Sequence, residues 1–378
     1  VRLTDQQRQF LEAVQKACTD LVPDEAARRT LTADDTLLNA QSAFDLLASR
    51  DLLGVSLPVE DGGLGRTFTE ECLLLEETSR KGVPIMAYST ALTAAQSYLK
   101  WGDRAQRQTI VESIRSGHQE SVTFTEPGAG SDLAAAITAA RPDGDDWVID
   151  GRKTWISFAH IASHLLVLAR TSSEGTRHEG LSLFMVPAST PGVRVEPIHT
   201  MGAHMVNDVY FSEVRVPSSS VVGELGQAWG HLARGLAVER VIIAAMCAGA
   251  SARALDQLTR HVKSRVQFGA PLSKKQAVRH RIADLATEIA VLRAYVYDLA
   301  ARIDDGLEDT LNTEASMAKL KGSEVFKHTA LECVQLMGGY GYGSEFGMEQ
   351  QLRTAVATTI YGGANEVQRE IIGRGLGL

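Results

Sequence analysis

The sequence predicts an α+β chain of several domains: a helical N-terminal domain, a central β sandwich or barrel, and a helical bundle at the C-terminus. Three observations predict it. Apolar residues recur at helical spacing up to residue 118 and again beyond residue 226. Between these lie short β-rich runs separated by Gly, Pro and Asp, from SVTFTEPG to NDVYFSEVRVP. The length, 378 residues, exceeds what one small core organises. The boundaries read from these changes are 1–118, 119–225 and 226–378.

In the first part, TDQQRQFLEAVQKACTDLV has a helical stripe with Thr4 as N-cap, LPVEDGGLG (57–65) breaks the helices, and TEECLLLEETSRKG resumes them. In the second, WVIDGRKTW carries Asp150-Gly151 between two strand-like runs and predicts a hairpin turn there. In the third, Ile282, Leu285, Ile289, Leu292, Val296, Leu299 and Ile303 recur at three- and four-residue steps, the seam of a long helix in a bundle. GGYGYGSEFG (338–347) and YGGAN (361–365) interrupt the helices that follow.

Net charge is −8 and there is no basic arm or stripe, which argues against nucleic acid as a partner. Cys18, Cys72, Cys247 and Cys333 are far apart and read as reduced core thiols of a cytoplasmic protein. VRLTDQQRQF does not read as a signal peptide, and VIIAAMCAGA is too short an apolar run to cross a bilayer, so no membrane partner is expected. H-E-x-x-H and G-x-S-x-G are both absent, and His261 and His280 sit among basic neighbours, as on a solvated face; no metal site is expected.

Four stretches carry possible chemistry. TEPGAGSD (125–132) follows a strand and can present backbone amides to a phosphate or a ring edge, or be only a polar loop. KTWIS places Trp155 and Ser157 two residues apart on one strand face, where a Trp is either core or a wall for a flat heterocycle. SRVQFGAPLSKKQ offers Arg265 to a phosphate or merely ends a helix with it. In GLAVERVIIAAM, Glu239 shares a helical face with Leu232, Leu236, Ile243 and Met246. A carboxylate there is costly unless paired or used; a charge pair with Arg240 is the plain alternative to a catalytic role.

Taken in order, TEPGAGSD, KTWIS, FMVP, VRVP, RVQFGAPL, QLMGGYGYG and YGGANEVQR resemble the acyl-CoA dehydrogenase family along nearly the whole chain. The resemblance implies FAD held between domains and subunits, a C-terminal four-helix bundle, and a dimer or tetramer of identical chains. It also implies removal of the α proton of an acyl-CoA thioester by a carboxylate, with the β hydride passing to flavin N5 and electrons to an electron-transfer flavoprotein. By motif, Phe124, Thr125, Trp155 and Ser157 would border the isoalloxazine, and Ser131 would lie near the FAD or CoA phosphates. Arg265, Phe268 and Gln276 would reach FAD across a subunit interface. Gln335, Gly338, Gly339, Ala364 and Glu366 would line its adenosine end. An acyl-CoA oxidase, or a subunit of a mixed oligomer with little activity alone, are the alternative readings.

The sequence departs from the family in three places. Most members carry the base directly after the loop tyrosine; here Tyr361 is followed by Gly362-Gly363, and Gly362 has no side chain. A minority, including the isovaleryl-CoA and long-chain members, place a Glu on a bundle helix just before an Arg, and Glu239-Arg240 matches that placement. Glu239 is therefore the expected base, with Arg240, Tyr361, Gly362 and Ser131 beside the substrate. Ala237 stands where many relatives have an Asp that contacts CoA, and MGAHMVNDVYF lacks an Arg and a Thr often found there.

Overall fold

The computed structural model describes residues 2–378, and for residues 231–236 the backbone only. Six helices come first: α1 (Asp5–Leu21), α2 (Glu25–Leu31), α3 (Gln41–Ser49), α4 (Phe68–Lys81), α5 (Ala87–Trp101) and α6 (Arg104–Arg115). Strands β1 (Gln119–Thr123), β2 (Ala139–Asp143), β3 (Asp146–Ser157), β4 (Ala162–Arg170), β5 (Leu181–Pro187), β6 (Val193–Pro197), β7 (Val206–Pro217) and β8 (Val221–Val222) follow. Then come α7 (Ala228–Ser264), the short strands β9 (Val266–Gln267) and β10 (Ala270–Pro271), α8 (Gln276–Asp304), α9 (Asn312–Met337), α10 (Gly339–Tyr342), α11 (Met348–Thr358) and α12 (Asn365–Gly375).

The compact units cut across this order. One comprises residues 1–35, 67–84 and 237–378; the other comprises 36–66 and 85–236.

In the helical unit, local chemistry sets the helix ends. The Thr4 hydroxyl accepts the Gln7 amide at 3.2 Å and the Gln7 side chain accepts the Thr4 amide at 3.0 Å, the reciprocal box expected at the start of α1. Thr67 and Glu70 repeat it at α4, which ends on left-handed Gly82. The predicted seam of α8 is found: Leu285, Ile289, Leu292, Val296 and Leu299 are buried. Leu285 belongs to one cluster with Ala254, Leu258 and Val262 of α7, Cys333 and Met337 of α9, and Met348 of α11, so four helices share one core.

Residues Ala237–Ser264 of α7 are long and apolar enough to cross a membrane by length and composition. The VIIAAMCAGA run alone is shorter; the small residues after it extend the apolar stretch. Most of that stretch is buried inside the protein, as in a core helix.

In the strand unit the order is β6-β7-β3-β2-β4-β5-β8, with β1 pairing β4. The connection between the halves is slight, a single parallel pair from Ala139 to Arg170. Three strand spacings separate β3 from β5, roughly 14 Å in a flat sheet. The Trp147 and Phe184 rings of these strands nevertheless lie 5.6 Å apart. The sheet is therefore bent back on itself, and Ile149, Ile156, Val209 and Phe211 share a core with Leu165, Val167 and Val186.

The Asp150-Gly151 hairpin is not formed. Strand β3 runs straight through it, and the chain turns at the earlier Asp143-Gly144, where Asp143 pairs with Asp146. Asp150 is occupied differently. Its carboxylate accepts the Glu213 amide at 2.8 Å, at a bulge in β7 where Glu213 has φ 49°. Gly151 is required for close approach, because a Cβ there would lie 2.6 Å from the Thr138 hydroxyl and 2.8 Å from its Cα. Gly151→Ala should destabilise the protein by about 1–3 kcal/mol, measured by urea unfolding. A neutral result would contradict the packing at Thr138.

Candidate active site

The helical unit holds Glu239 on α7. Burial raises its carboxyl above the usual range, opposed by the charges of Arg240 and Lys319. Among the described residues nothing donates a hydrogen bond to that carboxylate. Arg240 does not pair with it: its Nη1 donates to Asn312 Oδ1 at 2.5 Å, and its buried Nε has no partner. The expected companions Leu232 and Leu236 lie outside the described side chains. Ile243 is buried, in a cluster with Cys247, Phe326, Ala330 and Ala355, against which Tyr361 packs.

The Tyr361-Gly362-Gly363 turn meets this helix. Gly362 has φ 61°, and a Cβ built on it would lie 3.8 Å from Glu239 Oε1 and 2.4 Å from Ile243 Cδ1. The side-chain position absent at 362 is thus occupied by Ile243 Cδ1 and bordered by the Glu239 carboxylate. Gln368 Nε2 donates to the carbonyls of Gly362 and Gly363, both at 3.0 Å. Among the described residues the Gly362 amide donates to no acceptor. Burial drives the Tyr361 hydroxyl pKa well up, reinforced by Cys247 and Glu239.

A second cleft in this unit, about 520 Å³, is lined by Arg265, Gln335, Gly338, Gly339, Tyr340 and His261, among others. Four of the residues expected to contact cofactor converge there. The Arg265 guanidinium lies 5.2 Å from the Tyr340 ring and His261 lies 5.4 Å from it. His261, expected on a solvated face from its basic neighbours, is half-buried and lines this cleft beside Tyr340. Phe268 lies outside this lining, on the β9–β10 turn, left-handed (φ 52°) and 92% exposed. Gln276 opens α8, Ala364 precedes α12 and Glu366 lies in its first turn.

In the strand unit, the loop after β1 is anchored by a pair the sequence reading missed. Glu126, nearly fully buried, accepts the Ile137 amide at 2.8 Å, the Thr138 amide at 2.9 Å and Lys153 Nζ at 2.8 Å. Lys153 also donates to the Phe124 carbonyl at 3.0 Å. Burial raises the Glu126 carboxyl pKa, but Lys153 and the Ile137 amide outweigh it and the net shift is downward; burial lowers Lys153 to about 8 against the pull of Glu126. The sequence offers Lys153 in KTWIS and two acids, Glu126 and Asp132, in TEPGAGSD, and spacing does not say which of them it meets.

The Thr154 amide donates to the Thr125 carbonyl at 2.9 Å, tying the same loop to β3. A bulge between Lys153 and Ile156 interrupts the strand alternation. Trp155 there adopts φ 59° and turns its ring outward, 57% exposed. That backbone conformation is costly for a bulky residue. Ser157 is half-buried, and its carbonyl accepts the Ser121 hydroxyl at 2.7 Å. Ser131 is exposed. Where the MGAHMVNDVYF segment lacks its usual Arg and Thr, His204 stacks on His160 at 4.0 Å and Asn207 bonds both rings.

Family models for the N-terminal, middle and C-terminal domains of acyl-CoA dehydrogenase match residues 4–118, 121–214 and 226–377. The chain belongs to the acyl-CoA dehydrogenase family. It is 32% identical to the human mitochondrial short-chain specific acyl-CoA dehydrogenase over 94% of this chain and 87% of that protein. It is also 32% identical to the cyclohex-1-ene-1-carbonyl-CoA dehydrogenase of Geobacter metallireducens, over 99% and 98%. Among solved structures, butyryl-CoA dehydrogenase from Megasphaera elsdenii superposes with a TM-score of 0.90 at 27% identity, covering both chains completely.

An acyl-CoA dehydrogenase is an FAD-dependent oxidoreductase, and the residues present fit that cofactor. The outward Trp155 ring offers a flat apolar wall. Gly128 and Gly130 leave open space above the anchored loop, where a Cβ would meet nothing within 4 Å. Gly338 and Gly339 do the same in the Arg265 cleft. Replacing Lys153 by Met should cost about 3–5 kcal/mol, because it strips a buried carboxylate of its counter-ion, and should lower the FAD content of the purified enzyme. Urea unfolding and the flavin-to-protein absorbance ratio measure both; unchanged values would show that the pair does not hold the loop.

Proposed function

We propose that this acyl-CoA dehydrogenase removes the α proton of an acyl-CoA thioester with Glu239. The observation that carries the reading is the 3.8 Å between Glu239 Oε1 and the Cβ position at Gly362. Family members with the base after the loop tyrosine and members with it on the helix would then serve one Cα from two backbone segments. Bound FAD supplies the hydride acceptor for the β hydrogen. Glu239 suits the proton step because burial raises its basicity toward the weakly acidic α C–H, and because among the described residues no donor competes for its lone pairs. The unengaged Gly362 amide donates to the thioester carbonyl, where negative charge develops as the proton leaves. Tyr361 and Arg240 border the same space, and Ser131 takes a phosphate of CoA or FAD.

Phe124, Thr125, Trp155 and Ser157 border the flavin ring. Arg265, Gln335, Gly338 and Gly339 hold a phosphate-bearing portion of FAD, joined by Ala364 and Glu366. Phe268 and Gln276 reach FAD of a second copy of the chain, which the exposure of Phe268 favours. Electrons leave to an electron-transfer flavoprotein.

Glu239→Gln keeps the shape and removes the proton acceptor. Single-turnover flavin bleaching by a good acyl-CoA should slow by about 10²–10⁴-fold with FAD still bound. Bleaching at the parental rate would make Glu239 a structural charge. Moving the carboxylate, as Glu239→Ala with Gly362→Glu, should restore part of the rate. Adding Ile243→Ala should restore more, since Ile243 Cδ1 stands 2.4 Å from the new Cβ. Recovery stays incomplete because the left-handed backbone at 362 misaims a longer side chain.

A further inference from the structure

The proposed reaction divides between two segments what a base-bearing loop does alone. The proton acceptor is on α7 and the carbonyl-binding amide is on the 361–365 loop, so their relative placement must be fixed by a third element. Lys319 of α9 is fully buried, and its Nζ donates to the Gly363 carbonyl at 2.8 Å and to Asn365 Oδ1 at 3.1 Å. Ser323 of the same helix donates to that Asn365 oxygen at 3.0 Å. Gln368 also grips the Gly362 and Gly363 carbonyls, but as a neutral amide. Lys319 is the charged member of this clamp. The charged or titratable groups acting on it are Glu239, Arg240 and Cys247 of α7 and Glu366 of α12; Tyr361 acts on Glu239 from the loop.

We infer that Lys319 is a positioning residue for the dehydrogenation: its ammonium pins the 362–363 turn through the Gly363 carbonyl while its charge attracts the Glu239 carboxylate. This rests on Glu239 being the base. The acceptors that hydrogen-bond the ammonium are neutral, so its charge is not cancelled locally and acts on the carboxylates around it. Burial lowers Lys319 to about 8 and raises Glu239. Against that burial, the charge of each favours the charged form of the other, and the ammonium persists up to about pH 8. Removing the ammonium leaves Glu239 easier to protonate, so the acid limb of the rate profile must move to higher pH.

The test is single-turnover flavin bleaching of the FAD-loaded enzyme against pH and acyl-CoA concentration, for the parent, Lys319→Met, Lys319→Gln and Glu239→Gln. Lys319→Met should lower the saturating rate on the acid limb of the profile, about tenfold for a limb displaced by one pH unit, and much less at pH 9. It should also weaken substrate binding as the turn loosens. Lys319→Gln keeps a donor for the Gly363 carbonyl without the charge, so it should show the same acid-side loss with affinity near the parent's. An unmoved pH profile in both variants, beside a slowed Glu239→Gln, overturns the Lys319 assignment alone. A Glu239→Gln enzyme as fast as the parent overturns it together with the proposed base. If neither Lys319 variant retains FAD, Lys319 holds the fold and the assignment also falls.

Discussion

A carboxylate that burial pushes toward its neutral form, and that accepts no hydrogen bond among the described residues, is the constraint on which the helical site depends. Desolvation makes such a group costly, so its surroundings must both tolerate it and keep it aimed. Ile243, Cys247 and Tyr361 supply the low-polarity surroundings. Arg240, engaged with Asn312 rather than with Glu239, contributes charge without quenching the carboxylate. The missing side chain at Gly362 completes the arrangement, because a residue with a Cβ would collide with Ile243. A glycine at 362 and a glutamate at 239 are two halves of one packing solution.

The strand unit handles a buried charge in the opposite way. Glu126 is saturated, by two backbone amides and an ammonium. Three donors, one of them an ammonium, hold that carboxylate in its ionised form and tie it to the loop, which makes it a poor proton acceptor. The two acids thus differ in engagement: Glu126 is bonded by three donors, whereas Glu239 accepts none among the described residues. The anchored loop in turn lets Trp155 persist in a left-handed conformation, with the bulge at Lys153–Ile156 absorbing the extra residue.

Much of the architecture was legible because it follows from period and punctuation. The three- and four-residue spacing of α8 could bury only one face, and the Thr4 box needed only residues three apart. The family resemblance located the Arg265, Gln335, Gly338 and Gly339 set, which the structure brings into one cleft. The hairpin failed for a specific reason. Two Asp-Gly pairs occur seven residues apart, and local turn propensity cannot rank them. In the fold Asp150 lies within β3, where its carboxylate accepts the amide of Glu213, 63 residues away.

By itself the sequence determined the helix–strand–helix order, the family, the need for FAD and the vacancy at 362 that made Glu239 conspicuous. These depend on residue type, spacing and ordered motifs, all of which are one-dimensional. Only the tertiary structure decided that Arg240 turns to Asn312, that Glu126 finds Lys153, and that Lys319 closes on the Gly363 carbonyl. Each of these joins segments far apart in the chain. A charged side chain's partner depends on which acceptor the fold brings within hydrogen-bonding reach, and spacing along the sequence carries no record of that.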